Sequence, residues 1–181
     1  MKKIVIMMMV ALVAVSASAA SIDWKFSGLT TTAKRIVDST GSNYNGNIYL
    51  ILSENVSSLT STTDQASFET ALNSITLGTT AVADGKASNA TATSDMLANT
   101  STDYTFSVVV YDGTGYYVSA AKTEKAYTDP TAPTSITFGY NDIGKTYQNA
   151  QGVKFTPVAV PEPASAMLAL AGVAMLIRRR K

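Results

Sequence analysis

The 181-residue chain contains no cysteine and no histidine. Without histidine a Ser-His-Asp triad is impossible. Without either residue the usual zinc and transition-metal ligand sets are missing. Cysteine nucleophiles and glycine-rich phosphate loops are lacking too. With no disulfides, stability has to come from packing alone. The 143-residue body, 21–163, is long enough for that, because a domain of about 150 residues buries roughly 68–70% of its unfolded surface. Positive charge is scarce in the body. Six of the 14 basic residues lie at the ends (Lys2, Lys3, Arg178, Arg179, Arg180 and Lys181), which leaves eight against all 13 acidic ones and a net charge of −5. A mildly acidic body has no basic stripe to neutralise phosphates, so no nucleic-acid partner is expected.

The ends carry what the body lacks. Met1-Lys2-Lys3 is a positive start, Ile4 to Val15 is an unbroken apolar run, and Ser16 to Ala20 are small residues with Ala17 and Ala19 in an A-x-A arrangement. That order is the layout of a secretory signal peptide over 1–20, and the apolar run is short for a membrane span. Cleavage after Ala19 and cleavage after Ala20 fit equally well, and a buried N-terminal helix is the alternative. At the other end, Pro157, Pro161 and Pro163 make 158–163 a stiff, extended spacer. Ala164 to Ile177 are 14 residues without a charge. As a helix they span about 21 Å, at ~1.5 Å per residue, against a hydrocarbon core of about 30 Å. Arg178 to Lys181 are expected to stay on the cytoplasmic side by the positive-inside rule.

Between the ends, 40 of 143 residues are Ser or Thr, a mixture that suits strands and turns. Ile22 to Phe26 alternate strictly and predict a strand, with Ile22, Trp24 and Phe26 on one face. Further strands are predicted over 33–38, 47–53, 104–111, 116–121, 135–140 and 153–156. Asn45-Gly46 signals a turn. Residues 63–74 are the expected helix: Thr62 and Gln65 read as a capping box, and Phe68, Ala71, Leu72 and Ile75 form one stripe. The segment 79–99 reads as loop with one short strand or turn. In the hairpin around Asp112-Gly113, pairing Tyr111 with Tyr116 sets Tyr104, Phe106, Val108 and Val110 on one face with Tyr117. Val109, Tyr111 and Val118 fall on the other. The expected fold is mainly β: an antiparallel β-sandwich-like single domain over 21–157 with one short α-helix, flanked by the signal helix and a C-terminal transmembrane helix over 164–181.

Fragments of chemistry are sparse. Ser119-Ala-Ala-Lys122 matches the S-x-x-K of serine acylases but lacks its partner motifs, so chance explains it best. The 38–47 loop mixes Asp, Asn and Gly without EF-hand spacing, which makes a turn the better reading than calcium. A two-carboxylate hydrolase has no paired carboxylates to rest on. Trp24, Phe106 and Phe138 are expected in the core, while Tyr111, Tyr116 and Tyr140 are open between core and a sugar-stacking surface. Asn55, Asn89 and Asn99 match the glycosylation sequon and are candidate glycosylation sites. No catalytic residue, metal ligand or cofactor is expected.

Val160-Pro-Glu-Pro163, a short hydrophobic segment and a terminal basic cluster resemble the PEP-CTERM protein-sorting signal of Gram-negative bacteria. The resemblance covers about the last 22 residues. It implies that Pro161, Glu162 and Pro163 are the tripeptide recognised by exosortase, a membrane transpeptidase-like enzyme, that 164–177 is the membrane segment, and that Arg178, Arg179, Arg180 and Lys181 stop transfer. The partners implied are signal peptidase and exosortase during processing, with the inner membrane as a transient host. The body also looks like small Ser/Thr-rich exported proteins with this tail, often from species that make exopolysaccharide. These features point to a non-enzymatic protein of the cell surface or extracellular matrix. A polysaccharide-binding module and a single-pass membrane-anchored surface protein are the alternatives.

Overall fold

Strict alternation makes the first strand. In β1 (Ala20–Ser27) Ala20, Ile22 and Trp24 point inward and are fully buried, while Lys25 points out. The computed structural model describes residues 19–29, 34–143 and 156–158. The expected signal helix, the membrane segment, the sorting tripeptide, Ala17 and the basic cluster lie outside the described residues, as does most of the expected 153–156 strand. Among the described residues no helix is long and apolar enough to cross a membrane.

After β1 come β2 (Gly46–Leu52), α1 (Val56–Thr60), α2 (Gln65–Ile75), β3 (Thr76–Ala83), β4 (Lys86–Ala87) and β5 (Ala90–Ser94). The hairpin β6 (Asp103–Tyr111) and β7 (Gly115–Val118) follows, then β8 (Lys122–Lys125), β9 (Ser135–Gly139), α3 (Tyr140–Ile143) and β10 (Thr156–Pro157). The chain is mainly β. One sheet has the order β5-β1-β9, and the larger one runs β10-β7-β6-β2-β3-β4, with β8 also pairing with β6.

The apolar faces of the two sheets meet in one core. Trp24, Ile136 and Phe138 from the small sheet pack with Ile48, Leu50, Phe106, Val108 and Val110 from the large one. Trp24, Phe106 and Phe138 are fully buried, as expected. The opposite face of the large sheet is covered as well. Ile51, Val109, Tyr111 and Tyr116 pack against Leu59 of α1 and Phe68 and Leu72 of α2. β2 and β6 are therefore buried on both faces, which explains their nearly continuous apolar sequence. Tyr111 does pair with Tyr116, and both predicted faces of the hairpin are as read.

Several expectations are corrected. The small sheet is not purely antiparallel: β1 runs antiparallel to β5 but parallel to β9, with Trp24 opposite Ile136. Parallel partners lie far apart in sequence, so local patterning leaves no trace of them. The main helix spans Gln65–Ile75, not 63–74, and it is not the sole one. Asp64, not Thr62, caps it: the Asp64 carboxylate accepts from Ser67 N at 2.9 Å. A carboxylate one residue before the helix is a stronger acceptor than a more distant hydroxyl. Residues 34–38 form no strand beyond a single bridge between Val37 and Asn43. Ile36 instead bonds outward, its N–H to Gly85 O and its carbonyl to Tyr44 N.

The segment 79–99, expected as loop, holds most of β3, all of β4 and all of β5. Its small residues serve a close approach, since a Cβ on Gly78 would come within 2.8 Å of the Ala92 Cβ. Asp84 and Gly85 both adopt positive φ, 51° and 70°, and form the two-residue turn between β3 and β4. Asn45-Gly46 is not a turn, because β2 starts at Gly46. The reversal before it is made at Asp38–Ser42, with Gly41 at φ 85°. Tyr140 opens α3 and does not extend β9.

Candidate functional site

The first and last described residues lie next to the two segments expected to act as processing signals. At the N-terminal side Ala19 is exposed and Ala20 is fully buried at the head of β1, opposite Ser94. Ser21 N and Tyr127 O are 2.7 Å apart, and the reciprocal bond from Tyr127 N to Ser21 O is 2.8 Å. The Ser21 and Thr93 hydroxyls bond each other at 2.8 Å. Among the described residues β1 thus starts at Ala20, one of the positions expected at the signal-peptide junction.

The last strand among the described residues is β10, which pairs with the β7 edge as Thr156 with Tyr116 and Pro157 with Gly115. Proline has no N–H to give a sheet and is tolerated at such an edge. One residue later, Val158 N donates to Thr114 O at 2.9 Å, and the Val158 side chain is buried with Leu59 and Tyr116 in the second core. The expected spacer 158–163 is corrected at its first residue, because Val158 belongs to the packed body. The alternation of Val153 and Phe155 hinted at a strand here. Nothing in the sequence marked Val158 as its anchor.

The polar end of the large sheet is a cleft of about 320 Å³ lined by Asp38, Asn43, Tyr44, Asn45, Tyr111 and Asp112. Its carboxylates are occupied by backbone. Asp38 Oδ1 accepts from Thr40 N, Thr40 Oγ1 and Ser42 N. Asp112 Oδ1 accepts from Thr114 N, Thr114 Oγ1 and Gly115 N, and its Oδ2 accepts from Ser39 N at 2.7 Å. Partial burial pushes the Asp112 carboxyl up, but the bonds from Ser39, Thr114 and Gly115 outweigh it and hold the group well below the usual carboxylate range. Asp112 therefore pins the 38–42 turn to the β6–β7 turn. Among the described residues no group of three or more His, Cys, Asp or Glu side chains could hold a metal ion. The Tyr44 hydroxyl donates to the carbonyls of Asn47 and Tyr111, both at 2.7 Å, and burial raises its pKa.

Tyr111 and Tyr116 do not form an exposed stacking surface. Phe68 lies 4.8 Å from the Tyr111 ring and 4.6 Å from the Tyr116 ring, centroid to centroid, beneath α2. The Tyr111 hydroxyl donates to Glu69 Oε1 at 2.9 Å. Burial first, and then the Glu69 carboxylate, push its pKa up to about 12. The covering helix is what hides these rings, and strand alternation alone does not show it. Tyr140 is half-buried, with the Lys34 ammonium 5.6 Å from its ring centroid.

Ser119 and Lys122 are separately engaged. Ser119 Oγ accepts from Val108 N and donates to Ala120 O, while Lys122 Nζ pairs with Asp142 Oδ1 at 3.0 Å. Of the sequon residues, Asn89 and Asn99 are exposed and Asn55 is half-buried just before α1. Asn89 Oδ1 caps Phe26 N at 3.0 Å, and Asn99 Oδ1 accepts from Ser101 N. No protein-family model, no curated protein and no solved structure matches this chain.

Proposed function

We propose that this chain is an exported, non-enzymatic envelope or extracellular-matrix protein, released from the inner membrane by exosortase acting at Pro161-Glu162-Pro163. The carrying observation is the order of parts at the C-terminus: the tripeptide, then the uncharged 164–177 run, then Arg178 to Lys181. The N-terminal basic, apolar and small-residue series supports export by the same logic. In this reading signal peptidase acts in the Ala17–Ala20 region, and the two sheets are the halves of a sandwich-like body that is the cargo. Its engagement of Ser119 and Lys122 in unrelated contacts supports a non-catalytic role. Exopolysaccharide is the candidate partner, on the likeness of the body to small Ser/Thr-rich exported proteins from species that make it. The test replaces Pro161, Glu162 and Pro163 together by alanine in a host that carries the sorting enzyme. The expected result is full-length protein retained in the inner-membrane fraction. Equal release of variant and parent would refute the tripeptide's role.

A further inference from the structure

Asn55, Asn89 and Asn99 head the same sequence pattern, yet the fold treats them differently. Glycan transfer to a folded acceptor needs an exposed segment, a free amide nitrogen and a hydroxyl two residues on that an enzyme can engage. Asn55 fails on exposure. It is half-buried at the start of α1, and Val56 and Ser57 are already helical. Asn89 fails on freedom. Its Oδ1 accepts from Phe26 N at 3.0 Å, and the Thr91 hydroxyl donates to Asp23 Oδ1 at 2.7 Å. Ala90 and Thr91 are also paired with Trp24 and Asp23 of β1. Drawing this segment into an enzyme would unzip β5 from β1.

Asn99-Thr100-Ser101 meets every condition. Asn99 and Ser101 are exposed, in a turn between the 3-10 segment Asp95–Leu97 and β6. Thr102 N donates to Asn99 O at 3.1 Å and closes that turn. Ser101 N donates to Asn99 Oδ1, also at 3.1 Å. With Oδ1 turned back onto the backbone, Nδ2 is the outward atom of the amide. Among the described residues neither Nδ2 nor the Ser101 hydroxyl has a hydrogen-bond partner. The turn is anchored on both sides, by fully buried Leu97 and by the Tyr104 hydroxyl, which accepts from Asn99 N at 3.1 Å. Its surroundings leave room for a bulky group. Tyr104 is also one wall of a cleft of about 290 Å³, lined in addition by Glu54, Thr102 and Asp103. Their carboxylates and hydroxyls are acceptors for sugar hydroxyls.

We propose that Asn99 is a glycan attachment site on the folded, exported body, and that Asn55 and Asn89 are not. Asn99 Nδ2 attacks the anomeric carbon of a lipid pyrophosphate-linked glycan. The new C–N bond replaces the C–O bond to the pyrophosphate, the lipid pyrophosphate leaves with that electron pair, and the amide proton passes to a base of the transferase. The inference rests on the export reading above and not on cleavage at the tail. The experiment recovers the full chain and its variants, after export, from the cells that produce them, and maps modified asparagines by peptide mass. The expected result is one glycan, on Asn99. Asn99→Gln and Ser101→Ala should lose it entirely, while Ser101→Thr, Asn55→Gln and Asn89→Gln should keep it. A glycan on Asn55 or Asn89 overturns the assignment. So does an exported chain, freed of its N-terminal signal, with Asn99 unmodified, and that result leaves the export reading intact. A chain retained in the cytoplasm with residues 1–20 attached would defeat the export reading, and this inference with it.

Discussion

Arg35 offers a test of the packing with an unusual sign. The residue is buried, and among the described residues its Nε and Nη1 atoms have no hydrogen-bond partner. Among the described residues its one ionic contact is Asp84 Oδ2, at 3.9 Å from Nη2, and the Asp84 side chain is 66% exposed. Leaving a buried donor unpaired costs about 1–3 kcal/mol, so two cost roughly 2–6 kcal/mol. A long ion pair with one partner in water returns about 0–1 kcal/mol. Arg35→Met keeps the stem that packs under the Asp84-Gly85 turn and removes the charge. The expected result is stabilisation by about 1–3 kcal/mol, read by chemical denaturation of the purified protein. Thermal unfolding should shift upward by about 3–5 °C for each kcal/mol. Asp84→Asn should be near neutral, since asparagine tolerates the positive φ at that site. Destabilisation of Arg35→Met by more than about 1 kcal/mol would show that the guanidinium is better satisfied than this reasoning holds.

Two further outcomes follow from the second core and the loop end. Phe68→Ala is expected to cost about 3–5 kcal/mol, because Phe68 is fully buried against Tyr111 and Tyr116; a loss under about 1 kcal/mol in urea denaturation would mean that α2 does not hold that face. The depressed Asp112 carboxyl contributes stability that is present above its unfolded pKa, near 3.8, and is lost as pH falls towards its lower folded value. Asp112→Asn should therefore be least stable relative to the parent at neutral pH, with the gap closing below about pH 4, and a gap that stays constant across urea midpoints from pH 7 to pH 3 would contradict the assignment.

The parts of the fold that were readable in advance share one property: their pattern is local. β1 alternates, the Tyr111–Tyr116 hairpin has its turn residues between two apolar runs, and Phe68 and Leu72 mark a helical stripe. What escaped reading depends on distant partners. The parallel β1–β9 pair joins segments more than 100 residues apart, for example Asp23 and Ser135. β3 and β5 are rich in Thr and Ala, Gly78 passes close to Ala92, and small residues at a contact look like loop in a sequence. The Asp84-Gly85 turn was a legible signal that the low hydrophobicity around it concealed. At the candidate site, strand alternation leaves Tyr111 and Tyr116 open between core and ligand surface, and the cover of α2 assigns them to the core. The seating of Val158 could not be read at all, since one valine among prolines carries no period.

The most direct test of the central claim is the intact mass of the exported protein recovered from cells that carry the sorting enzyme. The account predicts a chain that begins at Ala20 or Ser21 and ends near Pro161-Glu162-Pro163, without Arg178-Arg179-Arg180-Lys181. An exported chain that still carries those four C-terminal residues would contradict it.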